Sequence, residues 1–250
     1  MIKKLWQLIV TIVLCGSFWG LGFAPVWATV SPDLERNILE VIQKHPDASI
    51  QSVSAYQRQQ QEQQAQAREK VLAQVKQQLP QVIGMSPVLG DRNASVTVIE
   101  FADFECTYCR KVHPDLKSLH QRYPQVAFVF KHLPITNLHP EAIPAATATW
   151  AAQQQGKFWE FHDALFETKQ PLGEATYRTI AQRLKLNLEQ FEGDRQSPQA
   201  QEAIRQDMFW SETLRIEGTP FFLIATPERV EAVSGADMRF IETVVSRAIG

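Results

Sequence analysis

Cys106 and Cys109 stand three positions apart, between an apolar run at Val96–Phe101 and a stretch with helical spacing. A cysteine pair at this spacing is a redox dithiol in one setting and half of a zinc site in another. A strand that feeds such a pair directly into a helix has the layout of a dithiol–disulfide site. It also commits the chain to mixed α/β architecture. The sequence has one further cysteine, Cys15, which lies in an N-terminal apolar run.

That run follows Lys3 and Lys4, extends from Leu5 to Val26 and ends in Val26-Trp27-Ala28. A charged start, an apolar middle and a small residue at the end form a secretory signal, with cleavage expected after Ala28. The alternative is an uncleaved membrane anchor, since about 20 apolar residues suffice to cross a bilayer. Either reading exports the rest of the chain to a compartment where disulfides persist. Residues 1–28 are assigned to this leader. The formal net charge of the 250 residues is -2, with no dominant basic patch, which argues against a nucleic-acid partner. At 44% hydrophobic residues the chain can bury a substantial core.

Ser31-Pro32-Asp33 predicts a helix start, and apolar positions at Leu34, Ile38, Val41 and Ile42 carry it toward His45-Pro46. A glutamine-rich stretch, Gln51–Gln78, has helix-forming residues but few large apolar ones. It reads as a solvated helix, or as a spacer or dimerising arm. Pro80–Asp91 reads as a linker, so residues 29–87 form a helical extension. Strands are expected at Val96–Phe101, Val126–Phe130, Phe221–Ala225 and Val230–Val233. A helix is expected from Cys106 to Arg122, with others at 141–155, 158–168, 174–184, 199–215 and 236–248. This order implies a sheet interrupted by a helical insertion at about 139–216, all within a domain spanning 88–250.

At the helix N-terminus Cys106 meets unpaired backbone N–H groups that favour a thiolate, the attacking species. Cys106 is thus the exposed attacking sulfur, and Cys109, one turn further, the shielded resolving one. Thr107 and Tyr108, between them, tune the reduction potential. Three other readings stay open: a structural disulfide, a pair with no function, and a zinc site recruiting His113 and His120 at an irregular spacing. Glu100 stands alone among apolar strand residues. It is read as a proton acceptor whose acidity burial weakens, or else as a solvated carboxylate at a sheet edge. The aromatic stripe Phe158, Trp159, Phe161, Leu165 and Phe166 reads as core of the insertion.

The segment Val98–Cys109 resembles the active-site region of the DsbA-like thioredoxin-fold oxidoreductases. The likeness extends to Lys131-His132-Leu133-Pro134, Gly156–Phe166 and Gly218-Thr219-Pro220. The resemblance implies a thioredoxin-like α/β fold with an inserted helical domain between its second and third strands. It implies that Cys106 and Cys109 exchange disulfides with exported proteins, that Glu100 is the buried acid beneath them, and that Thr219 and Pro220 form a cis-proline loop lining a peptide groove. No metal or organic cofactor is expected. A membrane partner of the DsbB or vitamin K epoxide reductase type would reoxidise the pair. Thr107 replaces the proline common in this branch, which leaves the redox direction open. The expected activity is oxidation of substrate thiols. The alternatives are a reductase or isomerase, or a peptide-binding or chaperone module with incidental cysteines.

Overall fold

The computed structural model describes residues 31–250; the leader and Cys15 lie outside the described residues. The described chain divides into two units between Glu62 and Gln63. In the first, helix α1 (Pro32–Lys44) begins where Ser31 Oγ accepts the Leu34 N–H, with proline in the first turn. It buries no residue, and Leu34, Ile38, Leu39, Val41 and Ile42 are exposed. Helix α2 (Pro46–Gln77) crosses the division, and its only buried residues, Leu72 and Val75, belong to the second unit. Among the described residues no helix is long and apolar enough to cross a membrane.

The segment read as a linker is ordered structure. It holds α3 (Leu79–Ile83), with Val82 and Ile83 buried, and a short strand β1 (Val88–Leu89). Proline and glycine masked this, because two apolar residues pairing on a sheet edge leave no periodic signal. The turn after β1 requires Gly90. Its φ is +92°, and a Cβ there would lie 2.9 Å from the Val126 carbonyl oxygen.

The sheet is completed by β2 (Thr97–Ala102), β3 (Ala127–His132), β4 (Phe221–Ala225) and β5 (Val230–Ser234), in the order β1-β3-β2-β4-β5. Only β2 and β3 run parallel, joined by α4 (Thr107–Arg122). The central strand β2 is buried along its whole length, as expected for a strand covered on both faces. On one face α4 and α10 (Met238–Ile249) pack Val112, Leu116, Leu119, Ile241 and Val245 against Val98, Phe222 and Ile224. On the other, Leu72, Val75, Val82 and Ile83 pack against Ile99, Phe101, Val129 and Leu223.

Between β3 and β4 the chain builds a helical block: α5 (Ala142–Gln154), α6 (Phe158–Glu167), α7 (Glu174–Arg183), α8 (Leu188–Arg195) and α9 (Pro198–Thr213). Helix α8 has no counterpart in the sequence expectations. Its signal was Asn187, whose side chain caps the Gln190 N–H at 3.0 Å, but a glycine near its end and only two large apolar residues, Leu188 and Phe191, hid the helical period. The stripe from Phe158 to Phe166 is core as expected, with Trp159 only partly covered. The fold is thioredoxin-like, with an inserted helical domain and a helical N-terminal region.

Candidate active site

Cys106 is the N-cap of α4 rather than its first helical residue: its sulfur accepts the Cys109 backbone N–H at 3.4 Å. Sulfur here takes the place that serine or aspartate oxygen takes at other helix starts. Cys106 also approaches the Thr219 carbonyl oxygen at 3.4 Å. The sequence reading made Cys106 the exposed sulfur. The structure leaves only 6% of that residue open, against none of Cys109, because the loop at Thr219 and the helical block close over the pair. Both are free thiols. Thr107 and Tyr108 form the first turn of α4, and the Tyr108 ring is exposed.

The two sulfurs are electronically unlike. The Cys106 thiol is lowered to about 5. The Cys109 thiol contributes most to this, burial opposes it, and Thr219 and the Cys109 and Tyr108 backbone amides add to it. Cys109 is pushed up, chiefly by burial, then by its hydrogen bond to Cys106 and the charge of Glu100. At neutral pH the reduced pair is therefore one thiolate and one thiol.

Glu100 sits in β2 opposite Phe130 of β3 and Phe222 of β4. It is buried rather than solvated at an edge, and its Oε1 has no hydrogen-bond partner. Burial first, and the Cys106 charge second, raise its pKa to about 8. The Thr219–Pro220 peptide is cis and leads directly into β4. The structure thus brings Cys106, Cys109 and the Thr219–Pro220 loop together, with Glu100 near enough for its charge to act on Cys109 and for that of Cys106 to act on it.

The histidines do not join the cysteines in a zinc set. Among the described residues, the group arranged to hold an ion is His113, His162 and Asp163, and the Lys117 ammonium already lies 2.9 Å from Asp163 Oδ2.

Sequence reasoning missed the residues that hold the cysteine loop in place. Asp103 is buried; its Oδ1 accepts the Glu105 N–H at 2.8 Å, and its Oδ2 accepts the Ile135 N–H and meets His139 Nδ1, both at 2.8 Å. Burial disfavours a charged His139, but its bond to Asp103 and the nearby Asp103, Glu105 and Cys106 charges raise its pKa overall. Glu105 Oε2 accepts the Glu141 N–H at 2.6 Å, and Glu141 Oε2 accepts the Tyr177 hydroxyl at 2.7 Å. An aspartate ahead of a helix start was a readable turn signal. Its partners, more than thirty residues away, were not.

Four likenesses bear on this geometry. A family model described as thioredoxin matches residues 81–241. The chain is 30% identical to a thioredoxin-like oxidoreductase from Silicibacter pomeroyi, with 67% of this chain and 96% of that one aligned at a TM-score of 0.58. The thiol–disulfide exchange protein α-DsbA2 from Wolbachia pipientis shares the fold at a TM-score of 0.64 and 21% identity, covering 72% of this chain and 97% of that one. Among curated proteins, the Na(+)/H(+) antiporter NhaA 3 of Salinispora tropica is 39% identical over 156 residues, 60% of this chain but 24% of that protein. The chain therefore spans about a quarter of the length of the curated relatives it matches. The chain belongs to the thioredoxin family and has the fold of its DsbA-like thiol–disulfide oxidoreductases.

Proposed function

We propose that the protein oxidises the thiols of exported proteins through the Cys106–Cys109 pair. The asymmetry of the two sulfurs carries this reading: a strongly stabilised Cys106 thiolate favours the reduced form, which makes the disulfide a ready oxidant. A substrate thiolate attacks Cys106 Sγ, the Cys106–Cys109 bond breaks, and Cys109 leaves with the electron pair and takes the proton held by Glu100. The substrate's second thiolate then attacks the mixed disulfide and releases Cys106 as thiolate. Thr219, Pro220, Thr107 and Tyr108 would line the substrate's approach. Reoxidation would fall to a membrane quinone-linked partner of the DsbB or vitamin K epoxide reductase type, and export to the N-terminal leader. The partner follows from the family resemblance, and the leader from the charged start and apolar run of residues 1–28. Ion exchange is named for the curated relatives, whereas the chemistry these residues carry is that of the thiol pair.

Replacing Cys109 with serine should accumulate mixed disulfides between Cys106 and exported proteins in cells. The purified wild type should equilibrate with glutathione at a potential well above the about -270 mV of thioredoxin. A value near thioredoxin's would make the protein a reductase. Activity that survives Cys106→Ser would make it a binding module.

A further inference from the structure

Behind the cysteine pair lies a cavity of about 250 Å³ between α4, α6 and the sheet, and Glu100 is part of its wall. Four polar atoms around it are buried and make no hydrogen bond: Glu100 Oε1, His113 Nε2, His120 Nδ1 and His162 Nε2; His113 Nε2 faces Asp163 Oδ1 at 3.6 Å and Glu167 Oε1 at 3.7 Å, too far for one. Such atoms are costly in a dry interior, and although most of the lining is apolar, a space of this size has room for several waters that would satisfy them. At its rim stand the exposed residues Lys117, Gln121 and Glu160. His113 is one turn beyond Cys109 on α4, and its ring meets that of His162 edge to face at 5.3 Å. His162 Nδ1 lies 3.0 Å from Asp163 Oδ1, which leaves its Nε2 free.

We propose that this cavity is a water-filled proton port, through which His113 and His162 pass protons between bulk solvent and the Glu100 carboxyl. The inference rests on the redox reading above. When Cys109 leaves as thiolate it takes the Glu100 proton, and Glu100 is reloaded through the port. When the pair is reoxidised, the Cys109 proton goes to Glu100 and leaves by the same way. Substrate meanwhile covers the opposite, cysteine side, so the two traffics do not compete.

The histidines suit this task because they stay neutral. Burial lowers His113, His120 and His162 below an ordinary histidine, and a neutral imidazole both gives and takes a proton. From α4 the titratable groups facing the port are His113, Lys117 and His120, with Cys106 and Cys109 on the far side of Glu100. From α6 they are Glu160, His162, Asp163 and Glu167. The strands contribute apolar side chains besides Glu100 itself. His113 and His162 are positioning residues, acting on the sulfurs through Glu100.

The test uses the full chain and two readouts. The first is infrared: the carbonyl band of protonated Glu100, assigned by its loss in Glu100→Gln, is followed after mixing into D2O near pH 6. The band should shift promptly in the wild type. In Leu116→Phe, which fills the port without removing a titratable group, and in His113→Gln/His162→Gln, the shift should be delayed. The second is the rate of disulfide exchange against pH, which should fall about tenfold or more in the same variants. The pH midpoint of Cys106 alkylation should stay where it is. Added imidazole should restore His113→Ala. Undelayed isotope exchange in both variants overturns the port whatever the activity. So does a slowed His113→Ala that imidazole does not rescue. A wild type that exchanges isotope promptly but no disulfides overturns the redox reading and leaves a solvent route with no proton task, which ends the proposal as well.

Discussion

Glu100 keeps its proton at neutral pH because its carboxyl lies among Phe130, Phe222 and the cysteine pair rather than in water. Its folded pKa of about 8 exceeds the ordinary 4.5, so between those values the folded state binds a proton that the unfolded state has released. The linked stability is fully present below pH 4.5 and is lost as pH rises through about 8. Glu100→Gln should remove this slope. The variant should match the wild type near pH 4 and exceed it above pH 8 in denaturant midpoints taken across that range. The same change should slow disulfide exchange at pH 7 by about tenfold or more, read by stopped-flow with a dithiol peptide. The sign of the Glu100 shift was legible in the sequence, because a single acid in a β-branched run has few other fates. For Cys106 the direction was legible and the main cause was not. The helix start could be read, but the nearness of the Cys109 thiol is a matter of side-chain placement.

Strand β3 ends in two polar residues that stay buried because α9 supplies a carboxylate to both. Asp207 Oδ1 lies 2.7 Å from Lys131 Nζ, and its Oδ2 lies 3.0 Å from His132 Nδ1; Ser86 donates to Oδ1 at 2.9 Å. The far nitrogen of His132 meets Thr149 Oγ1 of α5 at 3.0 Å. Burial works against a charged Asp207, but the His132 and Lys131 contacts outweigh it and hold its pKa below the usual carboxylate value. Stability from this group is present above the unfolded carboxylate's titration and is lost as pH falls through the depressed one. Asp207→Asn leaves the Lys131 ammonium buried without its counter-charge and should cost about 3–5 kcal/mol in urea unfolding at pH 7. The sequence marked Lys131-His132 only through its likeness to relatives. The partner 75 residues on could not be seen, since a lone aspartate in a helix looks like a solvated one. The same limit explains α8 and β1, whose burial comes from neighbours distant in sequence.

At the scale of the whole chain, the division at Glu62/Gln63 places every residue of the thiol site in the second unit. Removing residues 1–62 should therefore leave the melting temperature of the remaining body within about 3 °C, under 1 kcal/mol for this size, with an unchanged glutathione equilibrium. Calorimetry and redox titration of the shortened protein would check this. The alternation of strands and helices was readable because periods of two and 3.6 are local properties. The linkage between layers was not. That linkage has a further consequence. Asp103 and Glu105 reach from the cysteine loop to His139 and to the threshold of α5, so the helical block is not a cassette. Evolution or an engineer could exchange it between relatives only by transplanting those anchors too; otherwise the graft would arrive beside a nucleophile that has lost its footing.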